Sequence, residues 1–484
     1  MPARYILLPT RGFTAVEPYS APATLQFLNS LTPGATVRRA GELRVLDSIA
    51  ENGPKLVSLP PARVLDLRRR YPGTRIVPEV FYPTARAPRP AIKEAAVTQR
   101  GRAAPGGVVL TVVLQSSGEP LAEVDVIAFT DYAAGRGAKG RTNRRGQVRL
   151  RLPAQARMVE RLYLFPQAAA WPRLIKNFNL GAATVAVRPI DLSFADSRAA
   201  CYARSATGDG RGVTVGVIDT GVGPHAALAV DGGANTVYGE READWMDADG
   251  HGTHVAGLLA ARGPALRGSA PGVRLRAYRV FGAGSDAASN FAIAKAIDRA
   301  VADGCDLLNL SLGGGPDDPL TDEAIKDARA RGVICVIAAG NDAGPVAWPG
   351  RHALALAVAA IGVRNRWPRD AIQAEEVERP FGRKFGDERC FVARFSNRGR
   401  EIDLAAPGVG LISTLPNDRY GVMDGTSMAC PVATGVIARR LARRPALLAM
   451  PRTTARADEI ERLARTSTLD LLLARDLQGD GLPQ

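Results

Sequence analysis

From about residue 191 onward the chain alternates short apolar runs with amphipathic ones, and this alternation restricts the fold more than any other feature. Residues 213–218, 306–312 and 333–339 read as buried strands, whereas 290–302 and 321–331 carry helical spacing. Strand, helix, strand at this interval predicts βαβ crossovers and a parallel sheet with helices on both faces, an α/β fold. In such sheets functional groups gather at the carboxyl ends of the strands. A chain of 484 residues has room for more than one domain, and the part ahead of residue 191 reads differently. Residues 1–83 predict a small α+β module: apolar runs at 5–8 and 55–59, a helix over 61–71 ended by Pro72-Gly73, and a strand over 74–82. Residues 84–107, rich in Pro, Ala, Arg and Gly without hydrophobic period, read as a linker. Residues 108–190 show β-branched alternation at 108–114, 124–129, 147–152 and 184–187, with turns at Ser117-Gly118 and Arg145-Gly146, which predicts a β-sandwich. The α/β domain then occupies 191–484.

Composition narrows the class. With 46% hydrophobic and 23% charged residues the chain is neither fibrous nor wholly disordered, and no apolar stretch approaches the 18 residues of a membrane span. The first apolar run is three residues long, too short for a signal-peptide core, so a cytoplasmic location is favoured over a secreted one. Five cysteines without a CxxC pair fit neither a disulfide framework nor a zinc site. The net charge of +15 invites a nucleic-acid reading, yet residues 1–190 hold 28 basic against 12 acidic residues while 191–484 hold 35 against 36. Arg68-Arg69-Arg70 is the densest basic cluster and no aromatic-interleaved motif accompanies it, so specific nucleic-acid binding is not expected. A basic N-terminal part facing a neutral domain is compatible with docking between them.

Three segments carry chemistry-bearing residues: Val215-Gly-Val-Ile-Asp219-Thr-Gly-Val222, His251-Gly-Thr-His-Val-Ala-Gly257 and Gly425-Thr-Ser427-Met-Ala-Cys-Pro431. Each alone is ambiguous. Asp219 could cap a turn or belong to an aspartic site, although no second Asp-Ser/Thr-Gly exists to share a proton. His251 and His254 could be half a metal site, but lack the intervening Glu of a metalloprotease helix. Ser427 could be an ordinary helix N-cap.

Taken together and in this order, they resemble the subtilisin-like serine peptidases, the subtilases. The resemblance covers about residues 205–440 and implies a subtilisin-like parallel sheet and an Asp219, His251, Ser427 triad. Ser311-Leu312-Gly313-Gly314 resembles the family's substrate-lining strand, and Ala338-Ala-Gly340-Asn341 places the oxyanion donor at Asn341. The chemistry these roles imply is consistent. A serine hydroxyl needs an imidazole base within reach, the imidazole needs its second nitrogen fixed, and the tetrahedral oxyanion needs donors such as the Asn341 amide and the Ser427 N–H. Glycines at Ser311-Leu-Gly-Gly-Gly315 and at Gly282-Ala-Gly284-Ser285 would let an extended polypeptide pair as an added strand, with plain turn chemistry as the alternative for the second segment. His225 and His352 are expected to be surface or structural residues, and Cys305 and Cys335 buried hydrophobes. Cys430, three residues past Ser427, does not occupy the nucleophile position.

The expected function is a serine endopeptidase working through an acyl-enzyme on Ser427, with self-processing. The alternatives are a transpeptidase or macrocyclase using the same site, or an inactive binding scaffold. No cofactor is expected: the positions where many subtilases hold calcium read Ala227 and Ala260-Ala-Arg-Gly-Pro-Ala-Leu-Arg267, poor ligands for a hard cation. Residues 1–83 weakly resemble the family's propeptide, an intramolecular inhibitor, although the linker and β-sandwich intervene. The charged insertion 364–394 reads as an exposed loop near the cleft or a partner surface, and the short stretch from Asn341 to Pro349 leaves substrate preference unread.

Overall fold

Side-chain alternation along the central strands sends one set of residues to each face of a sheet covered on both sides. In the computed structural model, which describes residues 3–15, 22–37, 43–95, 107–153, 156–202 and 209–484, Val215 and Val217 join one apolar cluster while Ile218 joins another. Leu307, Ile334 and Val336 likewise face the first cluster, whereas Leu308, Leu310, Cys335 and Ile337 face the second. The parallel strands run in the order Val230–Asn235, Arg274–Arg279, Thr214–Asp219, Leu307–Leu310, Ile334–Ala338, Leu356–Val363, with Leu404–Pro407 also parallel to the last. Helices His251–Ala260 and Thr426–Ala442 contribute to the first cluster, and Asn290–Ala302 and Pro319–Ala330 to the second.

The insertion at 364–394 is not an exposed loop. It contributes an antiparallel hairpin, Phe381–Phe385 with Glu388–Val392, that extends the central sheet. It also contributes a short 3-10 helix, Ile372–Glu376, and the surface it meets belongs to this same chain. Arg161 and Lys176 pair with Glu375, and Arg173 with Asp370.

Those partners lie in a body of two sheets. Strands Val108–Leu114, Gln147–Leu150 and Thr184–Val187 form one, and Val124–Asp131, Arg136–Arg141, Met158–Pro166, Arg173–Asn179 and Glu94–Ala95 the other. Their inward residues, among them Leu110, Val126, Leu162 and Val185, enclose a separate core. Trp171, 2% exposed, plugs this body into the α/β domain's first cluster.

Ahead of it, Ala3–Pro9, Thr36–Val37, Leu43–Ser48, Lys55–Leu59 and Thr74–Pro78 form a five-stranded antiparallel sheet with helices Pro22–Ser30 and Val64–Arg70. The period of two explains its docking: Leu7 packs with Phe27, Leu28 and Leu67, while Ile6, Leu8 and Val77 pack into the second cluster of the α/β domain. Lys295 to Asp47 and Arg75 to Glu323 close the rim.

The segment read as a linker, 84–107, carries no regular element over 85–92 but pairs with the rest of the chain on either side of that stretch. Phe81–Pro83 pairs antiparallel with Ala287–Ser289, Thr84 bridges Leu312, and Glu94–Ala95 joins a sheet edge. Proline removes donors but does not prevent an extended chain from pairing through its carbonyls and the other residues' N–H groups. Residues 96–106 lie outside the described residues.

Candidate active site

Asp219 ends its strand, His251 opens a helix and Ser427 lies in the first turn of another, so three elements deliver three side chains to one place. His251 Nδ1 lies 2.7 Å from Asp219 Oδ1, both side chains fully buried. Thr220 N–H donates to the same carboxylate oxygen at 2.7 Å. The helix carrying His251 is capped by Asp247, which accepts from Gly250 and Thr253 N–H and from the Thr220 and Thr253 hydroxyls. Its carboxyl is pushed above the ordinary range by burial, with those hydrogen bonds opposing the shift.

Ser427 Oγ donates to the Ser311 carbonyl at 2.9 Å, and His251 Nε2 has no hydrogen-bond partner. Rotation about the serine χ1 is the movement that would bring the hydroxyl to that free nitrogen. Asn341 is oriented by Thr426, whose N–H and hydroxyl donate to Asn341 Oδ1 at 2.8 and 3.0 Å. This leaves Asn341 Nδ2, buried and unpartnered, as the free end of the amide.

Between these groups runs a segment of the chain itself. Ser427 N–H donates to the Ala85 carbonyl at 3.1 Å, and Ala85 N–H donates to the Ser311 carbonyl at 3.1 Å. Upstream, Gly313 N–H donates to the Pro83 carbonyl at 3.1 Å; downstream, Ala87 N–H donates to the Asp424 carbonyl at 2.9 Å. The Ala85–Arg86 peptide is therefore gripped on both sides. Gly425, at φ 153°, lies so close that a Cβ would sit 2.6 Å from the Ala85 oxygen. Tyr82 is fully buried three residues before Ala85, its hydroxyl 2.5 Å from the Asp318 carboxylate and 2.7 Å from the Pro316 carbonyl. A Cβ on Gly315 would stand 2.4 Å from the Tyr82 ring, so the flanking glycine makes room for that anchor.

Other candidates fall elsewhere. Ala338 and Gly340 lie buried beside this cleft, with Gly340 N–H donating to the Thr426 hydroxyl at 3.1 Å, and Leu312 and Gly314 lie along the docked segment. Gly282 and Gly284 do not pair with it: they form a turn, and the pairing strand is the three residues that follow, Ala287–Ser289. His254 Nε2 meets the Leu411 carbonyl at 3.1 Å and burial, with a smaller contribution from His251, lowers its pKa to about 3; among the described residues no group of three or more His, Cys, Asp or Glu side chains could hold a metal ion. His225 and His352 are buried and structural, each accepting a backbone N–H through Nδ1. Burial raises the Cys430 thiol far above its ordinary value, and Sγ donates to the Val336 carbonyl, so it is a packing residue. The residues at the usual calcium positions do not fit a hard cation: Ala227 packs with Ala261 and Leu266, and its carbonyl accepts from Arg262 N–H. Sequence reading missed the segment 82–87, Thr426 and Asp424; the small residues of Thr84-Ala-Arg-Ala-Pro were visible, but nothing local marked them as a strand.

The subtilase family matches residues 210–481, more than half of the chain. The chain belongs to the subtilase family. Among its relatives is the M-protease of Shouchella clausii (strain KSM-K16), 38% identical over 232 residues, which are 47% of this chain and 54% of that one. Subtilisin Savinase of Lederbergia lenta is 37% identical over 232 residues, 47% and 76% of the two chains. The major intracellular serine protease of Bacillus subtilis (strain 168) is 32% identical over 285 residues, 56% and 81% of the two chains. The match spans about half the length of the M-protease. The relatives include alkaline proteases at 37% identity as well as an intracellular serine protease, so the preference for a cytoplasmic location does not stand. Among the described residues of this subtilase, no helix is long and apolar enough to cross a membrane.

Proposed function

We propose that the chain is a serine endopeptidase that cuts its own Ala85–Arg86 bond and is held inhibited by the module ahead of it. The Ala85 carbonyl, bonded to Ser427 N–H in a register fixed by Ser311, Gly313 and Asp424, carries this reading. Ser427 Oγ attacks the Ala85 carbonyl carbon while His251 Nε2 takes its proton, and Asp219 holds the ring through Nδ1 and stabilises the imidazolium. The oxyanion that forms receives the Ser427 N–H and the Asn341 amide. Collapse breaks the carbon–nitrogen bond; the imidazolium gives its proton to the Arg86 nitrogen, and water then releases Ala85 as a carboxylate. The product stays docked through Tyr82 and the strand pairing of Phe81–Pro83, which is how a cleaved module would inhibit. The polypeptide substrate binds as an added strand and no cofactor takes part. The basic excess of residues 1–190 serves docking within the chain rather than nucleic acid, with Arg75, Arg161 and Arg173 each reaching an acid of the α/β domain.

The test is intact-mass analysis of the chain refolded from denaturant, wild type beside Ser427→Ala. A wild-type cut after Ala85, absent in the variant, supports the reading; an uncut wild type, or a variant that cuts equally, overturns it. A linked or cyclised product mass in place of the two fragments would give the site to amine transfer instead.

A further inference from the structure

Past the Ala85–Arg86 bond the chain meets a second body. Arg86 pairs with Asp249 of the α/β domain, but Arg89, three residues on, turns to the β-sandwich. Arg89 Nη1 lies 2.9 Å from Asp125 Oδ2, and its guanidinium stands 4.5 Å over the Phe165 ring. Asp125 is pre-set for this contact: Arg141 holds Oδ1 at 2.6 Å and Gln167 Nε2 donates to Oδ2 at 2.8 Å. Arg89, Asp125, Phe165, Asp249, Glu376 and Asp424 line one cavity that continues the cleft beyond the cut bond. A planar cation between a carboxylate and an aromatic face is the arrangement that recognises guanidinium groups.

We propose that the β-sandwich forms a subsite on the leaving-group side of the cleft that selects a basic residue at the fourth position after the cleaved bond, with Asp125 and Phe165 as its specificity-determining side chains. The inference rests on the assignment of Ala85–Arg86 as the cleaved bond. It gives the β-sandwich a role in choosing substrates: polypeptides carrying arginine or lysine at that place, with the body between module and protease acting as part of the cleft wall.

The experiment is a double-variant cycle on the full chain, read as the rate of the Ala85–Arg86 cut after refolding. Arg89→Ala should slow the cut about five- to tenfold, and Arg89→Glu more, the scale of one ion pair plus one cation–ring contact. Asp125→Asn should slow the wild type by a similar factor but add little to the Arg89→Ala chain. A merely structural Asp125, acting through Arg141, would slow both backgrounds alike. Phe165→Leu should give a smaller loss, and Arg89→Lys should recover most of the Ala deficit. Equal rates for wild type, Arg89→Ala and Arg89→Glu overturn the subsite while leaving self-processing standing, and this arm needs no change in the β-sandwich core. If the wild type never cuts at Ala85, the assignment of the bond falls and the subsite falls with it.

Discussion

The two sides of the Ala85–Arg86 bond are held by different physics. Upstream, Phe81–Ala85 is bound through backbone pairing to Ala287–Ser289 and Ser311–Gly313, with one side chain, Tyr82, sealed in a pocket. Downstream, one backbone bond at Ala87 is joined by ion pairs at Arg86 and Arg89, half-exposed and drawn from two bodies. Backbone pairing tolerates many sequences and buries a large anchor, so it gives affinity; charge pairing gives selectivity and weakens with salt. The geometry therefore divides inhibition from recognition along the cleft.

The comparison is destroyed outright if the bond is not the substrate. Ser427→Ala should abolish the cut, a loss of about 10⁶ in rate, leaving a chain of full mass. Asn341→Ala should cost about 10²–10³ by removing one oxyanion donor, with folding unchanged by circular dichroism. A loss below tenfold would mean that Asn341 Nδ2 does not face the developing charge. Upstream of the bond, Tyr82→Ala empties a sealed pocket and leaves Asp318 Oδ2 without its donor, a change worth about 3–5 kcal/mol. After the cut, the fragment ending at Ala85 should then release at least about a hundredfold faster, measured by the appearance of activity on an unfolded protein. A fragment that holds as tightly without Tyr82 would move the anchoring to the rim pairs of Asp47 and Arg75.

Much of this was readable in the sequence, for physical reasons that also mark where reading stopped. The parallel sheet was legible because strands buried on both faces must be apolar throughout, as at 213–218 and 333–339. Asp219, His251, Ser427 and Asn341 stood out because each sits in a short string of small residues and glycines that resembles a subtilase motif. The strand at 158–166 was missed because Met158-Val-Glu-Arg-Leu mixes charge into its exposed face. The docked segment was hidden for a different reason: Pro83-Thr-Ala-Arg-Ala-Pro88 has no hydrophobic period, and its partners lie more than 200 residues away. A substrate-like strand borrows its conformation from the cleft, so composition alone reads it as a linker. The insertion read as an exposed loop or a partner surface because it is rich in charge, but Asp370 and Glu375 pair with Arg173, Arg161 and Lys176 of the β-sandwich rather than with solvent or another protein.

The smallest effect expected separates the two sides by pH. Glu376 and Asp424 line the downstream half; burial pushes Glu376 up to about 7, with the Asp424 charge adding to it, and burial pushes Asp424 up to about 6. Both values lie above those of an unfolded chain, so the folded state binds protons more readily than the unfolded one. The stability these groups contribute is full below about pH 4 and is lost as pH rises through 6 and then 7. Glu376→Gln removes one of the two titrations. The apparent Tm of Ser427→Ala, uncut and so uniform, should therefore fall between pH 5 and pH 8 by a few degrees more than that of the double variant Ser427→Ala, Glu376→Gln. As pH rises through 6 the Asp424 carboxylate becomes charged, which strengthens the hold on Arg89, so the cut should accelerate over the same interval in which stability declines. Parallel Tm curves for the two chains would show that Glu376 keeps an ordinary carboxylate's titration and adds nothing to the pH dependence of the fold.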